Sequence, residues 1–226
     1  MSDYKGVHGT GILNYAGDVP NVLEGQLWYN STAKDFRVSE GPTAFAWATG
    51  GNLGTARYSL GGVGTSTAAL AFGGNTGPGN VTELWNGSNW TEVNALNTGR
   101  TSNLGGVGSS TAALAIGGNP ANAQTELWNG TNWTEVNDLN SVRRYMAGAG
   151  TTTSAIVFGG FPTTDNTELY NGTNWTIGIN LSSQRFNAGG AGTNNTSALA
   201  FGGSSPSFSA TEEWNAGPAT ITFSDS

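Results

Sequence analysis

Cysteine is absent from the 226-residue sequence, and histidine occurs only once, as His8. Without cysteine the chain can form no disulfide bond, thiol nucleophile or thiolate metal site. A nucleophilic triad needs a general base, and nothing in the glycine-rich stretch around His8 predicts a fixed orientation for its imidazole. We therefore expect no catalytic residue, no metal site and no cofactor.

Charge is also scarce, and none of it forms a basic block. Eight Lys and Arg residues stand against fifteen Asp and Glu, which gives a formal net charge of −7. Such a chain repels a phosphate backbone on average, so no nucleic-acid partner is expected. No stretch approaches the roughly 18 apolar residues of a membrane span, and the N-terminal sequence lacks the apolar run of a secretory signal. We expect neither membrane insertion nor export by a signal peptide.

The sequence does contain a repeat of about 43 residues. Residues 82–94 (TELWNGSNWTEVN) and 125–137 (TELWNGTNWTEVN) are nearly identical. Glutamate, tryptophan and arginine markers recur in the same register: Glu83, Glu126, Glu168 and Glu212; Trp47, Trp90, Trp133 and Trp175; Arg57, Arg100, Arg143 and Arg185. A fixed period of this length indicates a repeat architecture.

Each repeat is punctuated as four short strands. In 57–99 the strands GGVGTS and TAALAFGG are followed by VTELWNG and NWTEVN, which an Asn-Gly turn joins. Four strands per repeat predict the blade of a β-propeller, with small residues near the crowded axis and aromatics between the outer strands of neighbouring blades. We predict an all-β propeller of about four blades, each a four-stranded antiparallel sheet, with repeats near 57–99, 100–142, 143–184 and 185–226.

Both ends of the propeller are irregular. The fourth repeat has no tryptophan where its last strand should begin, whereas residues 44–49 carry Trp47 in register. We predict that strand 44–49 completes the last blade of a propeller spanning 43–226, with ATITF (219–223) as an extra edge strand or a competitor. Should four repeats fail to close, a neighbouring subunit would complete the ring. Residues 1–42 are predicted to be an N-terminal arm with a hairpin, QLWYN and DFRV, that docks elsewhere.

The repeat resembles the kelch repeat. The marks of that family are a Gly-Gly pair after an apolar strand, an aromatic after Glu-Leu, a tryptophan in the next strand, and then a leucine and an arginine. Here they stand as Gly73-Gly74, Glu83-Leu84-Trp85, Trp90, Leu96 and Arg100, with matching sets downstream. The resemblance covers about residues 43–226 and implies the fold rather than a function, because one fold hosts many functions.

The N-terminal hairpin and the Asn- and Thr-rich repeats are similar to segments of bacteriophage virion proteins, particularly those of marine phages. This resemblance implies a non-enzymatic virion structural protein of the tail or an appendage, made in the host cytoplasm. The partners it implies are other virion proteins through residues 1–42, further copies of the chain in the particle, and a host surface glycan or receptor. The alternatives are a carbohydrate-binding adhesin, a capsid-decorating protein and a cytosolic adaptor for peptides.

The residues that recur in every blade have a structural and a functional interpretation. A partly buried, bidentate Glu–Arg pair per blade explains both periodicities, whereas a ring of carboxylates could bind a cation. We favour the structural interpretation, because a residue that is identical in every blade is more often part of the scaffold. By the same argument the repeated tryptophans are predicted to form the core between blades rather than a platform for sugars.

The loops between the Gly-Gly and Thr-Glu pairs vary, and each holds one proline that stiffens it. We expect all four loops on one face, which is the arrangement that a recognition surface requires. Drift in unconstrained loops would give the same pattern. The candidate contacts for a partner or a glycan are Asn75, Pro78, Asn119, Pro120, Phe161, Pro162, Pro206 and Phe208.

Overall fold

The fold is given by a computed structural model, which describes residues 13–15, 27–38, 47–75, 77–101, 104–120, 122–162, 165–204 and 209–215. Within these ranges every regular element is a β-strand, which confirms the predicted all-β class. The same ranges contain no helix long and apolar enough to cross a membrane. The chain divides into two compact units, Met1–Thr49 and Gly50–Ser226, whereas the sequence predicts a boundary after residue 42.

The first unit contains a small sheet of three strands: β1 (Leu13–Tyr15), β2 (Leu27–Asn30) and β3 (Asp35–Val38). Strands β2 and β3 form the predicted hairpin, and β1 pairs with β2 in parallel. The turn of the hairpin is held by Asn30, whose Oδ1 accepts the N–H groups of Thr32 and Ala33 at 3.0 and 2.9 Å. Leu27 and Phe36 are 44% and 63% exposed, so the hairpin leaves apolar surface uncovered.

In the second unit four antiparallel sheets are the blades of a four-bladed β-propeller. Blade 1 consists of β4 (Gly61–Gly64), β5 (Ala69–Phe72), β6 (Thr82–Trp85) and β7 (Trp90–Val93). Blade 2 consists of β8 (Gly105–Gly108), β9 (Ala113–Ile116), β10 (Thr125–Trp128) and β11 (Trp133–Val136). Blade 3 consists of β12 (Ala147–Gly150), β13 (Ala155–Phe158), β14 (Thr167–Tyr170) and β15 (Trp175–Ile177). Blade 4 consists of β16 (Gly189–Asn194), β17 (Ser197–Phe201) and β18 (Thr211–Asn215).

The outer hairpin of each complete blade turns on an asparagine side chain. In blade 1, Asn86 Oδ1 accepts the N–H groups of Ser88 and Asn89, both at 2.9 Å. Only Gly87 takes a positive φ, of 94°. The sequence predicts that both residues of the Asn-Gly pair can adopt positive φ. In the structure the glycine alone does so, and the asparagine contributes by accepting local backbone hydrogen bonds.

The innermost strands of successive blades pack against each other, β4 on β8, β8 on β12 and β12 on β16. Their small residues permit this approach. A Cβ atom added to Gly190 would lie 2.8 Å from the carbonyl oxygen of Gly148 in the neighbouring blade, which is closer than side-chain carbons come to a backbone. The predicted location of the glycine-rich strands next to the axis therefore has a direct steric reason.

Trp133 and Trp175 fill the wedge between blades, as predicted, whereas Trp90 is only half-buried. Trp133 and Trp175 are each 5% exposed, and the Trp133 ring packs 5.1 Å from Phe72 of blade 1. Each indole also donates to a threonine of the preceding blade: Trp133 Nε1 to Thr82 Oγ1 at 3.0 Å, and Trp175 Nε1 to Thr125 Oγ1 at 3.1 Å. The interface between blades thus combines apolar burial with one directional bond.

Blade 4 differs from the others, because the described residues provide no fourth strand beside β18. The predicted closing strand, 44–49, is not formed in its described part, since residues 47–49 have no strand pairing. Trp47 is fully exposed. Residues 44–46 and the ATITF stretch lie outside the described residues. Within the described ranges the last blade is therefore a three-stranded sheet whose edge strand is β18.

Candidate recognition face

Each repeated arginine forms an ion pair with the glutamate of its own repeat, as the structural interpretation predicts. The distances between arginine Nη2 and glutamate Oε1 are 3.1 Å for Arg57–Glu83, 2.7 Å for Arg100–Glu126 and 2.5 Å for Arg143–Glu168, and Arg185 pairs with Glu212. One guanidinium nitrogen makes each contact. The predicted bidentate geometry of the pairs is therefore wrong.

The surroundings of Glu168 show where its other hydrogen bonds come from. Its Oε2 accepts both the backbone N–H and the side-chain amide of Asn140, at 2.7 and 2.9 Å, and Oε1 accepts the N–H of Ser141 at 3.2 Å. Burial lowers the pKa of the Arg143 guanidinium, and attraction to Glu168 opposes that change. Because both carboxylate oxygens are used internally, the pair supports the scaffold rather than an accessible ring of carboxylates.

The variable loops lie against the segments that follow the repeated arginines. Isolated β-bridges join Arg144 to Phe161 and Phe186 to Ser204, and an equivalent bridge in blade 1 joins Tyr58 to Asn75. Residues Arg144 and Phe161 exchange backbone hydrogen bonds of 3.0 and 2.8 Å. The same pairing recurs in three blades, so these loops emerge at the same end of each blade. We call that end the loop face.

Arg144 and Tyr145 together connect residues of blades 2, 3 and 4 on this face. Its Nη1 donates to Asn119 Oδ1 of blade 2 at 2.5 Å. Its Cζ lies 5.2 Å from the ring centroid of Tyr145 and 5.1 Å from that of Phe161, distances at which a guanidinium is attracted to an aromatic face. The Tyr145 ring lies 6.3 Å from Phe186 of blade 4. These five residues are the Arg144 cluster.

Arg144 pairs with no carboxylate among the described residues, whereas Arg37 and the four repeated arginines do. A guanidinium carries five N–H donors, and Asn119 takes one of them. The Nε of Arg144 is buried and has no partner in the described part of the chain. The cluster therefore combines a positive charge that no described carboxylate neutralises with neighbouring aromatic rings.

Tyr145 has a left-handed backbone, with a φ of 60°. The residues at the same place in two other repeats, Ser59 and Asn187, have φ values of 55° and 54°. A left-handed conformation is uncommon for a bulky side chain and costs on the order of 1–3 kcal/mol, whereas asparagine tolerates it. We explain the tyrosine at this position by the contacts of its ring, which lies against both Arg144 and Phe186.

Two of the predicted contact residues, Asn119 and Phe161, belong to the Arg144 cluster, and Phe161 is 46% exposed. Asn75 is engaged in blade 1, where its Nδ2 donates to Tyr58 Oη at 2.5 Å. Three of the predicted prolines are exposed: Pro78, Pro120 and Pro162. The remaining two predicted contacts, Pro206 and Phe208, lie outside the described residues.

The sequence analysis missed Arg144, Tyr145 and Phe186, which follow the repeated arginines instead of lying in the proline loops. A signal for them was present. The residue after the repeated arginine changes from copy to copy, being Tyr58, Thr101, Arg144 and Phe186. This position varies from copy to copy as the loops do, although it follows an invariant arginine. The sequence could therefore have predicted that this residue and the one after it lie on the same face as the loops.

The fold and the loop face together define a β-propeller whose repeated scaffold carries copy-specific side chains at one end. Among the described residues no group of three or more His, Cys, Asp or Glu side chains could hold a metal ion. No protein-family model matches the chain, and no curated protein matches it.

Proposed function

We propose that this chain is a non-enzymatic structural protein of a bacteriophage virion, in the tail or an appendage, and that its kelch-like propeller binds a partner through the loop face. The observation that carries the recognition role is the Arg144 cluster. It departs from the repeat, it joins three blades, and it leaves the Phe161 ring 46% exposed beside a guanidinium that pairs with no carboxylate among the described residues. The virion setting is supported by the resemblance of the hairpin and the repeats to phage proteins.

The chemistry of the cluster favours a partner that brings oxygen acceptors and a flat apolar surface. The free N–H donors of Arg144 suit carboxylate, hydroxyl or backbone carbonyl groups, and the exposed ring of Phe161 offers apolar contact area. Arginine and aromatic residues are also enriched where protein interfaces concentrate their binding energy. Because Arg144 is held by Asn119 and two rings, little side-chain entropy is lost on binding.

The first unit fits a second attachment to the particle. Its hairpin leaves Leu27 and Phe36 uncovered, and exposed apolar side chains on a small sheet suit a docking contact. In this proposal residues 1–42 bind another virion protein, and the loop face points toward the partner or the host.

The virion role is tested on purified phage particles from the source of the sequence. We expect antibodies raised against the recombinant chain to label the tail or an appendage in electron micrographs, and peptides of the chain to be found in the particles at a fixed ratio to the major structural proteins. Particles without the chain would contradict the proposal. Labelling over the whole capsid would replace the tail location by a capsid-decorating role.

Glycan binding is the second candidate, because a ring beside a guanidinium can stack on a sugar while the guanidinium donates to its hydroxyl groups. A glycan array probed with the intact chain and with Phe161→Ala tests it. We expect binding to fall at least tenfold in Phe161→Ala and to remain in Phe36→Ala, which removes an even more exposed ring from the first unit. Equal binding by both variants would exclude the loop face as the glycan site.

A further inference from the structure

A cavity of about 260 Å³ lies between blades 3 and 4, beside β18, to which no described residue adds a fourth strand. Its walls are mainly apolar, and they include one buried hydroxyl group, that of Thr167. The lining residues that matter here are Ile156, Phe158, Thr167, Leu181, Ala200 and Trp214.

The other two interfaces show what normally occupies this position. Between blades 1 and 2 the residues that correspond to this lining, among them Phe72, Leu96 and Trp128, pack around Trp133. Between blades 2 and 3 the corresponding residues pack around Trp175. In both interfaces the indole donates to a threonine that corresponds to Thr167. The cavity is therefore an indole site with its hydrogen-bond acceptor in position.

The chain contains one more strand of this type, outside the blades. Residues 44–50 read AFAWATG, and Trp47 precedes Leu53 by the same interval that separates Trp90 from Leu96 and Trp133 from Leu139. In the structure Trp47 is fully exposed, and residues 47–50 pair with no strand. Residues 44–50 therefore have the sequence and the register of the strand whose indole would fill the cavity.

The free faces of blades 1 and 4 are two halves of the same interface. On blade 4, Phe201 is 40% exposed and Thr211 is exposed, whereas their counterparts Phe72 and Thr82 are fully buried. On blade 1, Trp90 is only half-buried, although its counterpart Trp133 is 5% exposed. A groove lined by Leu60, Val63, Leu70 and Trp90 includes no residue of blade 4. Among the residues that the structure describes, neither face covers the other.

We propose that a second copy of this chain completes the interface head to tail. Blade 1 of one copy packs on blade 4 of the other, and residues 47–50 of the first copy pair with β18 of the second. The Trp47 indole enters the cavity and donates to Thr167 Oγ1, and Trp90 in turn donates to Thr211. The contact repeats the indole interface that the chain builds twice, with Trp133 and with Trp175, and the same contact made twice closes a symmetric dimer.

The pairing register follows from the complete blades. Trp85 lies opposite Trp90, and Leu84 lies opposite Thr91; blades 2 and 3 repeat this register. The equivalent pairs across the proposed interface are Trp214 with Trp47 and Glu213 with Ala48. The inference is independent of the virion role, since it rests only on the repeats.

The chain has no cysteine, so single cysteines test the register without background. One preparation carries Ala48→Cys and another carries Glu213→Cys. After mixing and mild oxidation we expect a disulfide-linked species with twice the 23.1 kDa mass of the chain. The matched control replaces Glu213→Cys with Thr134→Cys, which lies in the already complete blade 2 and should give no such species.

The double variant Ala48→Cys with Glu213→Cys separates the two possible sources of the strand. A covalent dimer is expected from it. A disulfide that leaves the mass of the chain unchanged would show that the strand folds back onto its own blade 4, and it would overturn the proposal. Absence of any disulfide would overturn the pairing itself.

The mass in solution gives a readout that needs no disulfide. We expect the unmodified chain to have twice its single-chain mass by light scattering, and Trp47→Ala to lose that dimer while its circular dichroism spectrum is unchanged. Phe36→Ala, which removes another exposed ring, should keep the dimer. A dimer that survives in Trp47→Ala would contradict the proposal.

Discussion

Arginine is the residue that holds each blade to its loops. Arg143 is completely buried, and it donates through Nη1 to the carbonyl of Asn166 at 2.9 Å while Nη2 pairs with Glu168. One side chain therefore satisfies both a backbone acceptor and a buried carboxylate. Removing one partner of a buried pair leaves the other charge without compensation, which is far more costly than breaking an exposed pair.

Arg143→Ala is expected to lower the free energy of unfolding by about 3–5 kcal/mol, because Glu168 is then buried without its cation. Glu135→Ala, which removes an exposed charge from blade 2, should change it by less than about 0.5 kcal/mol. Urea denaturation followed by tryptophan fluorescence measures both. A loss below about 1 kcal/mol for Arg143→Ala would show that the pair is not the structural element described above.

Tyr170 makes the stability sensitive to alkaline pH. Burial raises the pKa of its phenol above the ordinary value of 10. The folded state thus holds the proton more tightly than the unfolded state, so this contribution to stability is complete below about pH 10 and is lost as the pH rises through the folded pKa. We expect melting temperatures measured from pH 8 to 11 to fall more steeply for the native sequence than for Tyr170→Phe. Parallel curves would contradict the assignment.

At the scale of the element, the fourth strand of each blade is defined by its tryptophan. Trp133 is held by Phe72 and Thr82 of the preceding blade, and Trp175 by its counterparts one repeat later. Trp90 has the same sequence context, but no preceding blade covers it. The molecule therefore contains the same outer hairpin packed against a preceding blade, in blades 2 and 3, and without that packing, in blade 1.

Because of this difference, replacing Trp133 or Trp90 by alanine should lower the free energy of unfolding by different amounts. Trp133→Ala should lower the free energy of unfolding by about 3–5 kcal/mol, as is usual for removing a large buried aromatic residue. Trp90→Ala should cost clearly less, since its indole is half-exposed and reaches no threonine among the described residues. Both are to be measured by denaturant unfolding at concentrations where the chain is monomeric. Equal losses would show that Trp90 is buried in the single chain.

The elements were predictable because their signals are local. The Asn-Gly turns, the apolar strands and the tryptophan register define the strands and the cores between blades within a single repeat. For the Arg144 cluster the sequence carried a signal for the face, in the variable residue after each repeated arginine, but not for the contacts, because these join Asn119, Tyr145 and Phe186 from three blades. Whether residues 47–49 pair with β18 could not be read from those residues themselves, since such pairing depends on contacts far apart in sequence.

At the scale of the whole molecule, the interfaces between blades 1 and 2 and between blades 2 and 3 each contain a buried tryptophan. The interface between blades 3 and 4 contains a cavity instead, and the outer faces of blades 1 and 4 keep Trp90 and Phe201 partly exposed. The proposed dimer would complete these interfaces. The Arg144 cluster, by contrast, is built from residues of blades 2, 3 and 4 on the loop face, so the proposed recognition site and the proposed dimer contact use different parts of the propeller.

The packing of tryptophans between blades is the central claim, and hydrogen exchange of the indole N–H groups tests it most directly. The resonances are assigned with single Trp→Phe variants. We predict that the indole N–H groups of Trp133 and Trp175 exchange only when the whole domain unfolds, because each donates to a buried threonine hydroxyl. Exchange of these two indoles at the rate of an unstructured peptide would contradict the account.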